Sequence, residues 1–525
     1  MRRRDGGGFR MFLGDILVAH KLVTPADVTA AVEWQKREGG RLGDILVAQG
    51  KLRPEDLEAI MHGAPTAPRT LAETGLALPT LLNLMIKAMY SGACETPSQI
   101  AKFLKLPHRP VQLLIEQATQ RKLLDVLGAN DGVSEVRYVL GEKGKHWAID
   151  AIEQSQYIGP VPVSLTSYID RIQRQRITNE RVDRGAIEHA FSNLVISEAF
   201  VHMIGPAINS GRSMLLYGAP GNGKTTIAER IGGIFSDIIY VPYCFEVEGQ
   251  IIKVFDPGIH QQVERSMGEG HSRALGLRGS DLDQRWVPCR RPFIVTGGEL
   301  TLDMLDLSFN ALAKFYEAPL HVKALGGTFV IDDFGRQLVT PEALLNRWIV
   351  PLEARVEYLK LHTGKSFQIP FDELVIFSTN LAPRDLMDSA FLRRIPYKLE
   401  IGTPNPDEYR RIFRAVSRTL GLEAADEVID YALMRLRELG NVPLAGYQPK
   451  FIVDQVIAAC KFEGIAVQYR PEFVDMAISN LHPKDPKPAI PQAAPHPQAA
   501  MAHPQQPMPQ QPTTQQPMAL VRRTG

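Results

Sequence analysis

No stretch of the 525-residue chain approaches the roughly 18 uninterrupted apolar residues that a membrane-spanning helix needs. The first residues, Met1-Arg2-Arg3-Arg4-Asp5, run into glycines and not into an apolar secretory segment, so the expected compartment is the cytoplasm. Cysteine is scarce. Cys94, Cys244, Cys289 and Cys460 lie far apart with no C-x-x-C pair, which indicates neither a disulfide framework nor a zinc cluster and leaves them as buried thiols. An excess of one charge is also missing: 59 Lys and Arg stand against 58 Asp and Glu. No overall field draws such a chain to nucleic acid, although a local basic face stays open. What is present is 44% apolar residues over a length that suggests roughly three or four domains.

One octet stands out. Gly218-Ala219-Pro220-Gly221-Asn222-Gly223-Lys224-Thr225 fills the G-x-x-x-x-G-K-[ST] pattern. Residues 213–217 read as a short buried strand before it and residues 226–234 as a helix after it, the setting that pattern requires. The glycines let successive backbone N–H groups turn inward around phosphates. Lys224 can reach the β and γ phosphates, and the Thr225 hydroxyl can hold Mg²⁺. The candidate phosphate-binding residues are Gly218, Pro220, Gly221, Asn222, Gly223, Lys224, Thr225 and Thr226.

Further along, Gly327-Thr328-Phe329-Val330-Ile331-Asp332-Asp333 is an apolar strand that ends in two carboxylates. That arrangement assigns Asp332 to Mg²⁺ and Asp333 to polarising water. Leu374-Val375-Ile376-Phe377-Ser378-Thr379-Asn380 is a second buried strand, and its terminal amide, Asn380, is placed to orient the attacking water. Asp388-Ser389-Ala390-Phe391-Leu392-Arg393-Arg394-Ile395 then ends a helix in two arginines that could stabilise transition-state charge on a neighbouring subunit's nucleotide.

P-loop, acidic strand end, Ser-Thr-Asn strand end and arginine pair, followed by a helical segment, together resemble the AAA+ ATPase family over residues 163–481. The resemblance implies an α/β fold: a P-loop αβα core over 163–403 and a helical lid over 404–481, with ATP and Mg²⁺ between them. It also implies a homo-oligomeric ring, commonly a hexamer, with the arginine finger acting in trans. In the lid, Gln448-Pro449-Lys450 opens the helix where the family often supplies a second sensor arginine, which makes Lys450 the candidate. Two departures bear on rate. Asp333 replaces the usual glutamate and is one methylene shorter, and lysine at 450 lacks the planar fork of arginine. The family's pore loops come from the part of the core between the P-loop and the acidic strand, where no pore residue is identifiable.

The amino-terminal 64 residues contain a repeat, since Leu13-Gly14-Asp15-Ile16-Leu17-Val18-Ala19 recurs unchanged as Leu42-Gly43-Asp44-Ile45-Leu46-Val47-Ala48. Each copy reads as two short helices, the second opened by Thr24-Pro25 or Arg53-Pro54. This small all-α domain resembles the N-terminal domain of type II secretion and type IV pilus assembly ATPases, a version of which binds cyclic di-GMP. Arg41, Leu42 and Gly43 are the matching candidate contacts, while Phe12, Lys21 and Ala64 depart from the pattern. Cyclic di-GMP binding and a helical docking domain without the ligand both remain open. A true secretion motor is disfavoured, because such motors have a RecA-like core.

Residues 80–158 give three helices and a candidate strand pair, the order of a winged helix, with 64–79 as the linker before it. Its third helix, over 109–121, carries Val111, Leu113, Leu114, Ile115 and Glu116 and few cations, which favours protein docking over DNA binding. Residues 482–525, rich in Pro, Gln, Ala and His, cannot bury enough surface to fold. Three functions follow: an ATPase that remodels or assembles a protein partner, an ATP-controlled DNA-binding regulator, or a slowly hydrolysing nucleotide switch or scaffold.

Overall fold

The computed structural model describes residues 14, 17–18, 22–38, 42–54, 56–57, 65–92, 94–128, 135–263, 282–386, 389–440 and 443–481. Phe12, Lys21, Arg41 and Ala64 of the repeat, most of the charged stretch 264–285, Asp388 and the tail 482–525 lie outside the described residues.

Near the amino terminus, helices Pro25–Glu38 and Leu42–Ala48 pack through Val28, Ala31, Val32, Ile45 and Leu46. Thr24 and Asp27 exchange main-chain and side-chain hydrogen bonds at the start of the first, which satisfies donors that a helix end leaves open. Helices Leu78–Tyr90, Pro97–Leu104 and His108–Gln120 follow, the second opened by a Thr96–Gln99 capping box. An antiparallel pair, β1 (Leu124–Gly128) and β2 (Arg137–Leu140), and the helix Glu142–Gln154 complete this region.

The remaining strands, in order, are β3 (Val163–Ser164), β4 (Met214–Tyr217), β5 (Ile238–Pro242), β6 (Cys244–Val247), β7 (Gln250–Lys253), β8 (Trp286–Arg290) and β9 (Phe293–Thr296). They continue as β10 (Ser308–Asn310), β11 (Phe315–Glu317), β12 (Thr328–Ile331), β13 (Val356–Lys360), β14 (Ser366–Pro370), β15 (Leu374–Thr379) and β16 (Tyr397–Glu400). One sheet is wholly parallel, in the order β16-β4-β15-β12-β9. Every residue of β12 and β15 is buried, as expected of parallel strands covered on both faces. One face carries the helices Glu198–Ser210 and Lys224–Gly232, and the other Pro341–Arg347 and Ile349–Ala354.

A second sheet, β10-β11-β7-β6-β3, mixes parallel and antiparallel pairs, and β5 pairs with β8 beside it. The expectation of one αβα core over 163–403 is therefore incomplete. The second sheet leaves no mark in the sequence because its strands are two to four residues long, too short to show periodicity. Its Cys244 and Ile251 join the core of the preceding helical region, with Leu81, Ile100 and Leu114.

The segment expected as a linker is tied down. Asp283 N–H donates to Pro65 O at 2.9 Å, and the buried Arg285 pairs with Asp283 at 2.8 Å while donating to Thr74 O and Pro162 O. Four helices, Pro406–Thr419, Asp426–Glu438, Gln448–Phe462 and Pro471–Leu481, close the described chain around their own core of Tyr409, Phe413, Leu433, Ile452 and Val456. All four cysteines are free and buried, and among the described residues no helix is long and apolar enough to cross a membrane.

Candidate functional site

In a parallel sheet, ligands bind beyond the carboxyl ends of the strands where the strand order reverses. Here β4 lies between β15 and β16, and its carboxyl end runs straight into the glycine-rich octet. Gly218, at φ +141°, passes so close to β16 that a Cβ would stand 2.3 Å from Ile401 O, so only glycine fits. Gly223, at φ +81°, turns the chain into the helix Lys224–Gly232. Pro220 and Gly221 are exposed at the loop's outer turn, and Thr226 is half-buried in the first helical turn.

Three acceptors hold the buried Lys224 ammonium: Gly218 O and Ala219 O at 3.0 Å each, and Asn380 Oδ1 at 2.6 Å. Burial lowers its pKa below the ordinary lysine value, opposed by the nearby carboxylates Asp332 and Asp333. Thr225 Oγ1 donates to Asp332 Oδ2 at 2.7 Å, and Asn380 Nδ2 donates to Asp333 Oδ1 at 3.1 Å. The ends of β4, β12 and β15 thus deliver one continuous polar cluster.

Asp333 has φ +48°. Aspartate tolerates that left-handed region better than most residues, which gives a local reason for its presence in place of glutamate. The turn after it is welded to the neighbouring strand, with Phe334 N–H donating to Ser378 O and Thr379 Oγ1 donating to Phe334 O, both at 2.7 Å. Side-chain and main-chain bonds therefore both tie the Asp333 turn to the end of β15.

The arginine pair lies at the other end of the sheet. Ser213 Oγ donates to Arg394 O at 3.1 Å, which anchors the pair where β4 begins, roughly 13 Å of strand away from the P-loop. Arg394 is committed internally, pairing with Glu353 at 2.7 Å and stacking on Phe391. Arg393 is exposed, with no ion pair or hydrogen bond recorded among the described residues.

Lys450 is not part of the cluster either: its ammonium reaches out to Asp454 at 2.7 Å in solvent. The helical region after the parallel sheet meets the glycine-rich loop through residues that the sequence did not single out, since Gly446 N–H donates to Asn222 Oδ1 at 3.0 Å and the Tyr447 ring lies against Gly221. No local pattern marks either residue. In the amino-terminal repeat, Leu42 and Gly43 are buried in the helix core, and a Cβ on the equivalent Gly14 would stand 2.6 Å from Val28 Cγ1. The Leu-Gly pair serves helix packing here. Among the described residues no cluster of three or more His, Cys, Asp or Glu could hold a metal ion.

The family described as Domain of unknown function (DUF8689) matches residues 405–480, the helical region after the parallel sheet. No curated protein matches the chain. Among solved structures, the RuvB Holliday junction branch migration motor of Thermotoga maritima is 15% identical, with 61% of this chain and 72% of that chain covered at a TM-score of 0.28. NtrX from Brucella abortus is 11% identical over 56% of this chain and 57% of its own, with a TM-score of 0.35. Domain III of the replication initiation protein DnaA from Thermotoga maritima is 12% identical over 56% of this chain and 96% of its own, with a TM-score of 0.29. Scores this low establish no shared fold.

Proposed function

We propose that the chain is an ATPase of the AAA+ type, binding Mg-ATP at the P-loop and hydrolysing it within a ring of like subunits, commonly six, to remodel or assemble a protein partner. The observation that carries this reading is the linked set Thr225–Asp332 and Lys224–Asn380–Asp333 at the carboxyl ends of adjacent parallel strands. Hard oxygen ligands from one hydroxyl and one carboxylate fit Mg²⁺, which usually completes its shell with waters and phosphate oxygens. When bound, the metal would neutralise charge developing on the phosphates.

The protein groups have distinct tasks. Lys224 exchanges its three internal acceptors for phosphate oxygens, and that exchange frees Asn380 Oδ1 to take a hydrogen bond from water. Asp333, steered by Asn380 Nδ2, accepts the proton as the water attacks. Among the described residues no cation besides Lys224 bonds into this cluster, and the γ phosphate calls for further positive charge as the bond breaks. Arg393, exposed at the opposite end of the sheet, supplies that charge to a neighbouring subunit.

The amino-terminal regions select the partner. The exposed face of helix His108–Gln120 presents His108, Arg109, Gln112, Glu116, Thr119 and Gln120, a single arginine offset by a glutamate, which favours a protein surface over DNA. Since Leu42 and Gly43 are spent on packing, the repeat is read as a docking domain without cyclic di-GMP, and its secretion or pilus context stays an analogy. A slow switch is the second reading, favoured by the short Asp333 in its left-handed turn. ATP hydrolysis by the full-length protein across a concentration series tests the proposal. Turnover per chain that rises with assembly supports the ring ATPase, and bound nucleotide with negligible turnover in assembled rings supports the switch.

A further inference from the structure

The contact between the lid and the P-loop is built from both sides. Gly221, at φ +77°, has no side chain where the Tyr447 ring lies, and a Cβ there would stand 2.3 Å from Tyr447 Cδ1. Across the seam, Gly446 also lacks a side chain, and a Cβ on it would come within 3.3 Å of Gly221 O. Two glycines thus allow two backbones to close on one aromatic ring. Asn222 sits at the centre. Its Oδ1 accepts the Gly446 N–H at 3.0 Å, a bond that fixes which way round the amide stands. Its Nδ2 is then a donor buried away from solvent with no partner among the described residues. A buried donor without an acceptor is costly, and a ligand that supplies the acceptor removes the cost.

We propose that Asn222 and Tyr447 form the latch between nucleotide and lid: Asn222 bonds the lid through Oδ1 and a bound phosphate through Nδ2, while the Tyr447 ring sets how closely the lid sits on the loop. The inference rests on reading the P-loop as the nucleotide site. Both are positioning residues. The lid of this chain reads occupancy through an amide and an aromatic ring in place of a cation, because Lys450 is engaged with Asp454 one helical turn away. Phosphate binding tightens Asn222, and Asn222 tightens the lid.

Two measurements on the full-length chain test this. Without nucleotide, backbone hydrogen exchange at Gly446 should speed up in Tyr447→Ala and in Asn222→Ala, and stay at the wild-type rate in Lys450→Ala. With a fluorescent ATP analogue, Tyr447→Ala should raise the dissociation rate about tenfold and Tyr447→Phe should restore it. Asn222→Asp keeps the acceptor for Gly446 but loses the donor, and should weaken binding by about tenfold with Gly446 exchange unchanged. Lys450→Ala as damaging as Tyr447→Ala, or wild-type dissociation in both Tyr447→Ala and Asn222→Asp, would overturn the latch. If wild type and Lys224→Ala alike bind no nucleotide, the P-loop reading has failed, and the exchange experiment still decides whether the lid is held through Asn222 and Tyr447.

Discussion

The two ends of the parallel sheet carry opposite arrangements of charge. At the carboxyl end, Lys224, Asn380, Asp333, Thr225 and Asp332 bond one another in a cluster whose acceptors a phosphate can replace. At the amino end, Arg394, Asp372 and Glu373 are locked into the framework. Arg394 pairs with Glu353, Asp372 accepts the Ile177 N–H at 3.0 Å, and Glu373 is fully buried. Arg393, by contrast, is exposed. One end is arranged to exchange partners and the other to keep them. A single chain thus holds one cation, Lys224, and two acids in the cluster at the carboxyl end, while Arg393 stands exposed a strand length away; under the proposed ring ATPase the catalytic set is divided between chains.

The largest effects should fall at the carboxyl end. Lys224→Ala is expected to weaken ATP binding roughly 100-fold, about 2–3 kcal/mol, by equilibrium titration. Asp333→Asn should keep that affinity and lower steady-state turnover by about 10² to 10⁴. Unchanged hydrolysis in either variant removes the role given to that residue.

Across the sheet, Arg393→Ala should lower turnover of assembled protein by about 10³ without changing nucleotide affinity. Arg394→Ala should instead cost about 1 kcal/mol of stability through the lost Glu353 pair, read by denaturant unfolding. If the two variants exchange these phenotypes, the locked and free assignments are reversed.

The smallest effect concerns Glu373. Burial holds its carboxyl pKa well above the ordinary glutamate value, with Glu357 and Asp372 adding to the rise and Arg355 opposing it. A raised folded pKa means that the folded protein binds more protons than the unfolded chain. The stabilisation is complete below the ordinary glutamate range and is lost as pH rises toward the folded value. Glu373→Gln should therefore raise Tm by a few degrees at pH 8 and leave it nearly unchanged at pH 4. An equal shift at both pH values would mean that the effect comes from packing.

The sequence made the carboxyl end legible because its chemistry is local. The P-loop octet lies between its own strand and helix, and Asp332-Asp333 and Asn380 each close an apolar run that can only be buried. Where the arginines end up was not legible, because a bond from Ser213 to Arg394, 181 positions apart, sets it. Lys450 misled for a related reason: charge picked it out, while the contact is made by Gly446 and Tyr447 through shape. The second sheet was invisible because strands as short as Val163–Ser164 gain meaning only from distant partners such as Phe245 and Glu246. Likewise the 64–79 segment reads as a linker until Arg285, over 200 positions away from Thr74, closes on it.

The claim that catalysis is divided between chains is tested most directly by mixing two inactive full-length variants, Lys224→Ala and Arg393→Ala, and measuring ATP hydrolysis. In a mixed ring, a Lys224→Ala subunit can lend its Arg393 to a neighbour that still has Lys224. The account predicts that the mixture regains turnover that neither variant has alone. A mixture that stays inactive, beside wild-type protein whose turnover per chain does not change with concentration, would contradict it.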